Sequence, residues 1–209
     1  MSPLGHKRSF DTDAQIVDNR THQNLRHFEV QQINTEFGLL SVVDEPTYSF
    51  KSQDNARSYE IEVLLTPDTP ISVHGIALNG SGIMVVGAGG GCSSVHGHSA
   101  LVLDDKLYLA VGDHVACLAF TLPHRLVWST QVDMATCFGI HWEHGRGALI
   151  SHGELEISRL SLEGQLMWQA SGADVFSEGF RLLPDHIEAV DFNRTVYRLD
   201  YATGEARDS

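Results

Sequence analysis

Positive charge is scarce in this chain of 209 residues: 14 lysines and arginines stand against 27 aspartates and glutamates, a formal charge of −13. That deficit excludes the two partners that reward a basic face, a nucleic-acid backbone and an anionic membrane surface. Long apolar runs are missing too. The longest, such as Leu101–Leu103 and Leu107–Val111, fall far short of the roughly 20 residues a membrane-spanning helix needs. The opening MSPLGHKRSFDTDAQ has two basic residues and no apolar stretch behind them, so no secretory leader is expected and a cytoplasmic location is. Cysteine is sparse and odd in number, with Cys92, Cys117 and Cys137, which argues for reduced thiols rather than a disulfide framework. Sustained helical periodicity is absent after the first 30 residues. What the chain does have is 42% hydrophobic residues, too many for a disordered polymer.

Residues 1–26 are polar, weakly patterned and slightly basic, with Lys7, Arg8, Arg20 and Arg26 against Asp11, Asp13 and Asp18. They read as a flexible arm. From His27 onward the text turns to short strands. Phe28, Val30 and Gln32 alternate with polar neighbours, and Tyr59, Ile61, Val63 and Leu65 share one face of an alternating run. Ile83–Val86, Ala100–Leu103, Leu107–Val111 and Val115–Phe120 are further strands, separated by turn residues such as Asp104-Asp105 and Gly112-Asp113. Gly87–Gly91 reads as a break, because a strand interior gains nothing from glycine. Short strands at regular spacing predict one all-β domain over 27–209, either a propeller-like array of antiparallel meanders or a β-sandwich.

A repeat favours the array. Leu107–Trp128 lies over Gly147–Trp168 without a gap, at a spacing of 40. The matched pairs are Leu109/Leu149, Val115/Leu155, Cys117/Ile157, Phe120/Leu160, Leu122/Leu162, Leu126/Leu166 and Trp128/Trp168. A third, shorter copy covers 187–205, with Leu199 over Leu160. One such unit cannot bury both faces of its small sheet, so neighbours must stack on it, and a period near 40 suits propeller blades.

The stretch Leu199–Glu205, LDYATGE, resembles the LDxxTGxxxW signature of PQQ-like (quinoprotein-type) β-propeller repeats, and Leu160–Trp168 and Leu118–Trp128 look like degenerate versions ending in the same tryptophan. The resemblance covers residues 100–209. It implies that Trp128 and Trp168 each dock against the next blade. Trp142 departs from the register, and the third copy reaches Ser209 before any tryptophan. The family usually has about six to eight blades, whereas the residues after the arm hold about four and a half units. Nothing matches the vicinal cysteines or metal set of that family's dehydrogenases, so their cofactor is not carried over and the resemblance points to its non-enzymatic scaffolds. The last blade would lack an outer strand, an open edge that the segment His27–Asn34 could close or a second copy could pair with.

Twelve histidines are the chemical excess. In the Gly-rich segment Gly89–His98, His96 and His98 stand at i and i+2, on one face if the backbone is extended and about 6.8 Å apart along it. His152-Gly153-Glu154 repeats that spacing. Together His96, His98, His152 and Glu154 form a candidate set for one divalent cation. The opening of a cupin metal motif, G-x5-H-x-H from Gly90, fails because Val102 and Leu103 stand where a glutamate is required. Cys92/His96 and Cys137/His141 are both C-x3-H, a spacing of about 13 Å on a strand, too long for a thiolate–imidazole pair. Cys92 is the candidate nucleophile, with glycine N–H groups nearby as an oxyanion hole. The glycine run lacks both the P-loop ending and the dinucleotide fingerprint.

The reading is a non-enzymatic binding or scaffold domain. Its recognition surface comes from loops at one end of the β scaffold, which include His96, His98, Cys137, His141, His152 and Glu154. No cofactor is expected, and the partner is a protein, basic by complementarity, or a small ligand. The alternative is a metal-assisted or cysteine-dependent hydrolase centred on the Gly-rich Cys/His loop.

Overall fold

The computed structural model describes residues 30–207, so the expected arm at 1–26 lies outside the described residues. Every regular element among them is a strand. Four antiparallel meanders follow one another along the chain. The first sheet joins β1 (Val30–Thr35), β2 (Gly38–Asp44), β4 (Ser72–Leu78) and β5 (Ser81–Ala88), and carries β3 (Ile61–Leu64) parallel to β5 on its outer edge. The second runs β6 (Ala100–Leu103), β7 (Lys106–Val111), β8 (His114–Ala119) and β9 (Arg125–Gln131). The third runs β10 (Cys137–Glu143), β11 (Ala148–Gly153), β12 (Glu156–Leu160) and β13 (Leu166–Ser171). The fourth holds β14 (Gly179–Leu182), β15 (Ile187–Val190) and β16 (Val196–Leu199). This is an all-β, propeller-like array of antiparallel meanders.

Three cores lie between successive sheets. Leu40, Ile76, Met84 and Val86 of the first sheet meet Leu107, Leu109, Ala116 and Leu118 of the second. Tyr108, Val115 and Cys117, from the other face of the second, meet Ile140, Leu149 and Leu160 of the third. Ala148, Ile150, Ile157 and Trp168 of the third meet Ile187, Ala189, Leu199 and Tyr201 of the fourth. Strand alternation explains the arrangement: Leu149 faces back and Ile150 faces forward, so each inner strand serves two cores. Among the described residues no core joins the fourth sheet to the first.

A second link recurs along the chain. The Trp128 indole Nε1–H donates to Leu162 O at 2.9 Å, and that of Trp168 donates to Tyr201 O at 3.0 Å. Each ring lies on a glycine of the receiving turn. Gly164 and Gly204 have φ of +85° and +74°, and an added Cβ would come within 2.5 Å and 2.6 Å of the respective indole. Only glycine supplies both the left-handed backbone and the flat surface. One of the matched leucine pairs is a turn position rather than core: Leu122 and Leu162 are exposed. Leu155 is also exposed, in the β11–β12 turn, whereas its partner Val115 is buried.

The first sheet departs most from expectation. Gln31 and Ile33 are buried and Val30 is exposed, the opposite phase to the one the alternation suggested. The Gln31 amide explains it, donating to Gly97 O and Ala100 O and accepting from Ala100 N, and so tying β1 to the strand that opens the second sheet. β1 pairs with β2, so it does not close the last sheet. That edge is instead extended locally, by a bridge between Leu199 and Ala206 and by Arg207 N–H donating to Arg198 O. β5 runs on through Gly87, because that glycine lies under a phenyl ring.

The outward face of the first sheet is closed by residues 45–60. Tyr48 meets Phe50 and Tyr59 edge to face, at ring separations of 5.4 and 5.6 Å. These rings cover glycines: a Cβ on Gly75 would lie 1.9 Å from Tyr59 Oη, one on Gly82 3.0 Å from Tyr59 Cδ1, and one on Gly87 2.7 Å from Phe50 Cζ. Tyr59 therefore covers the face opposite Val63, not the same one. Buried Glu45 holds the lid, accepting from Tyr59 Oη–H at 2.5 Å and Arg57 Nη1 at 2.8 Å. Burial, then the Glu45 carboxylate, push the Tyr59 hydroxyl upward in pKa.

Gly75→Ala should cost about 1–3 kcal/mol by overpacking. In a Tyr59→Ala background the same change should cost much less, because the ring it meets is gone. Urea unfolding of the four proteins of that cycle measures the coupling, and equal costs in both backgrounds would show that Tyr59 does not rest on Gly75.

Candidate functional site

Antiparallel meanders put alternate turns at opposite ends. The segment 89–99, the connectors 132–136 and 172–178, and the turns after β7, β11 and β15 all fall at one end. Backbone hydrogen bonds knit them together: Gly91 N–H to Ala135 O at 2.7 Å, Cys137 N–H to Gly112 O at 2.6 Å, and Glu154 N–H to Thr136 O at 2.7 Å. Phe176 N–H continues the series to Glu154 O at 2.7 Å, and Phe192 N–H to Val175 O at 2.8 Å. Buried Asp133 adds a side-chain hub, accepting from the N–H groups of Ala135, Leu155 and Glu156 at 2.6, 2.9 and 2.9 Å.

Four of the histidines named from sequence meet at this end. His98 and His141 pack at 4.5 Å between ring centroids, their planes tilted by 32°. His141 then meets Phe180 at 4.6 Å, and Phe180 lies on His152 at 4.6 Å with the planes 10° apart. Phe138 approaches the edge of His152 at 5.4 Å, and His96 stands 6.2 Å from His98. His96 Nε2 donates to Phe138 O at 2.5 Å, which closes the circuit of six rings, and its Nδ1 accepts from His98 N–H at 3.1 Å. The rings come from the loop before β6, from β10, β11 and β14, so the cluster spans three sheets. Gly139 makes it feasible: Ile140 N–H donates to His98 O at 2.8 Å, and a Cβ on Gly139 would sit 3.1 Å from both His98 Cβ and His98 O.

Burial sets the charge of the cluster. It holds His141 down at a pKa of about 3, with further repulsion from His98, His152 and His96. His152 is pushed down to about 4, again by burial first, against a hydrogen bond to Phe176 O that raises it. His98 is lowered by desolvation and then by His96. Protonation of one ring disfavours protonation of the next, as for any cluster of like charges. Phe180 carries no sequence signal, being a lone aromatic residue in a short strand, and neither does Phe138 in β10.

The expected cation site does not assemble. Among the described residues, no three His, Cys, Asp or Glu side chains converge as a metal's ligands would. His96 and His98 occupy a loop rather than a strand. The imidazoles pack ring against ring, tilted or edge-on, while a metal needs their nitrogen lone pairs aimed at one point. His96 Nε2 and His152 Nε2 are spent on the carbonyls of Phe138 and Phe176. Cys137 belongs to the core between the second and third sheets, fully buried, its thiol pushed up to about 12 by burial. Cys117 is buried there as well, and Cys92 is exposed.

A separate polar chain clasps the Gly-rich loop to the first sheet. Asp44 Oδ1 stands 3.0 Å from His74 Nδ1, and His74 Nε2 lies 3.2 Å from Ser93 Oγ. The order resembles a hydrolytic triad, but its surroundings suit a clasp. His74 is fully buried, Ser93 Oγ accepts Gly112 N–H at 3.0 Å, and Asp44 accepts Val95 N–H at 3.1 Å. The Asp44–His74 contact is poorly aligned, leaving His74 Nδ1 without a hydrogen-bond partner.

The depressed histidines make stability depend on acid. Unfolded, both rings take up protons below about pH 6.5, whereas the folded chain resists until about 4 and 3. Stability is therefore fully present above pH 6.5 and lost as pH falls, by up to about 1.4 kcal/mol per pH unit for each ring. Urea unfolding between pH 7 and 4.5 should show this slope, and His141→Phe should flatten it by about half. An unchanged slope in that variant would remove His141 from the account.

No protein-family model matches the chain, and no curated protein matches it in sequence. Among solved structures it is similar to BamB from Moraxella catarrhalis, with a TM-score of 0.43 and 12% identity. The likeness covers 86% of this chain and 60% of that one, so the chain spans less than two thirds of its neighbour's length. The all-β class rests on the four sheets themselves.

Proposed function

We propose that the chain is a non-enzymatic binding domain, recognising a protein or a small ligand through the knitted end of its β array. The six-ring cluster carries this reading. Its rings are held from three sheets, yet the ring nitrogens of His98 and His141 have no hydrogen-bond partner among the described residues. An array of packed imidazoles, with His141 and His152 held uncharged by burial and nitrogens unspent on His98 and His141, can accept or donate to a ligand without moving. Preorganisation of this kind lowers the entropic cost of binding. The hydrolase alternative would need a base beside Cys92. The ring nitrogens nearest in sequence, those of His96, are engaged by Phe138 O and His98 N–H.

A photo-crosslinking residue at position 98, introduced into the chain in its native host, tests the proposal. The expected result is a discrete adduct that is absent when the same residue stands at position 163, in a turn at the opposite end. Identical adducts from both positions, or none from position 98, would overturn it.

A further inference from the structure

Three exposed apolar side chains share the knitted end: Met134 at 80% exposure, Phe192 at 63% and Leu155 at 38%. They stand on neighbouring segments. The connector bearing Met134 also bears Asp133, whose carboxylate holds the Leu155 turn. That turn's Glu154 O holds Phe176, and Val175 O holds Phe192 N–H. The three side chains therefore stand on a row of segments joined in series by hydrogen bonds, across the third and fourth sheets. Isolated exposed leucines are ordinary, but a row of large apolar side chains fixed in rigid turns marks a contact surface.

Apart from Arg194, in the turn that bears Phe192, the charge around the row is negative. Segments 89–99, 132–136, 153–156 and 172–178 contain no lysine or arginine, while Glu154, Glu156, Asp174 and Glu178 flank the apolar row. None of these four carboxylates has an ion-pair partner among the described residues. Glu156 is raised in pKa by burial and then by Asp133, as expected where negative charges crowd. The nearest cation in sequence is Arg194, in the β15–β16 turn. Cations gather at the other end instead, where Lys106, Arg125, Arg146 and Arg207 sit in or beside turns and strand ends. There Lys106, Arg146 and Arg207 are ion-paired to Asp105, Glu143, Asp185 and Asp200, whereas the carboxylates of the knitted end are left unneutralised beside the apolar row.

We infer that this end is the docking surface for a lysine- and arginine-rich amphipathic segment of a protein partner, with Met134, Leu155 and Phe192 contacting its apolar side. The inference rests on the binding reading above and names the partner's chemistry. Charge complementarity steers the segment to this end and orients it, and the apolar row supplies the desolvated contact.

A short fluorescent peptide with leucines on one helical face and lysines on the other is the probe, followed by anisotropy. Met134→Ser with Phe192→Ser, and separately Glu154→Gln with Glu178→Gln, should each weaken it about tenfold. Glu163→Gln with Glu205→Gln removes the same charge at the opposite end and should change it less than about twofold. Affinity should fall as salt rises from about 50 to about 300 mM. No binding by the unmodified chain at about 100 μM, or equal losses in the control pair, would overturn the inference. A position-98 adduct that persists after such a failure would leave the six-ring reading standing and remove the docking row alone.

Discussion

A small antiparallel sheet cannot bury both of its faces by itself, and the structure follows from how each sheet here disposes of its second face. The second and third sheets do so by lying between neighbours, with Leu149 facing one core and Ile150 the next. The indoles of Trp128 and Trp168 add direction, because each reaches forward to a glycine turn of the sheet that follows. The first sheet has no predecessor among the described residues and covers its outer face with Tyr48, Phe50 and Tyr59 over glycines. The fourth turns Arg181 and Glu188 outward as an ion pair, with Arg198 beside them on the strand face opposite Leu199. Terminal units of stacked arrays need such a cap or polar face.

That stacking also builds the candidate site. Successive sheets deliver their connectors to one end, where backbone hydrogen bonds between connectors replace the ladders that end there. The histidines then meet because Gly139 lets the loop bearing His98 lie directly on β10. Burial within this junction keeps His141 and His152 uncharged at neutral pH, which allows imidazoles to approach at distances that like charges would oppose.

Much of the architecture was legible, for reasons that individual residues make plain. Short apolar runs between turn residues marked β7 and β8, the repeat at a spacing of 40 carried that reading to β11 and β12, and the matched tryptophans marked the forward contact. The first sheet was opaque because residues 45–71 interrupt its spacing and because a buried glutamine, Gln31, occupies a position that alternation assigns to solvent. Asn79-Gly80 between β4 and β5, both with positive φ, was the strongest local hairpin signal in that region. Within the site, residue type pointed to His96, His98, His141 and His152, while spacing misled. The i, i+2 argument assumes an extended backbone, and 96–98 is a turn. Cys137 seemed surface-bound because it sits beside that cluster in sequence, but the register shift between Cys137 and Gly139 turns it into the core. Phe180 completes the cluster from another sheet, a contact no local pattern encodes.

The central claim is that the sheets are locked in series by forward-reaching indoles, and the three indole N–H groups test it most directly. Hydrogen exchange followed on their nitrogen-15 signals separates them, since Trp142 Nε1 donates only to exposed His144. The account predicts that the Trp128 and Trp168 indole protons exchange as slowly as ladder amides of β12 and β16, while that of Trp142 exchanges fast. Rapid exchange at Trp128 and Trp168, with those ladders still protected, would contradict it.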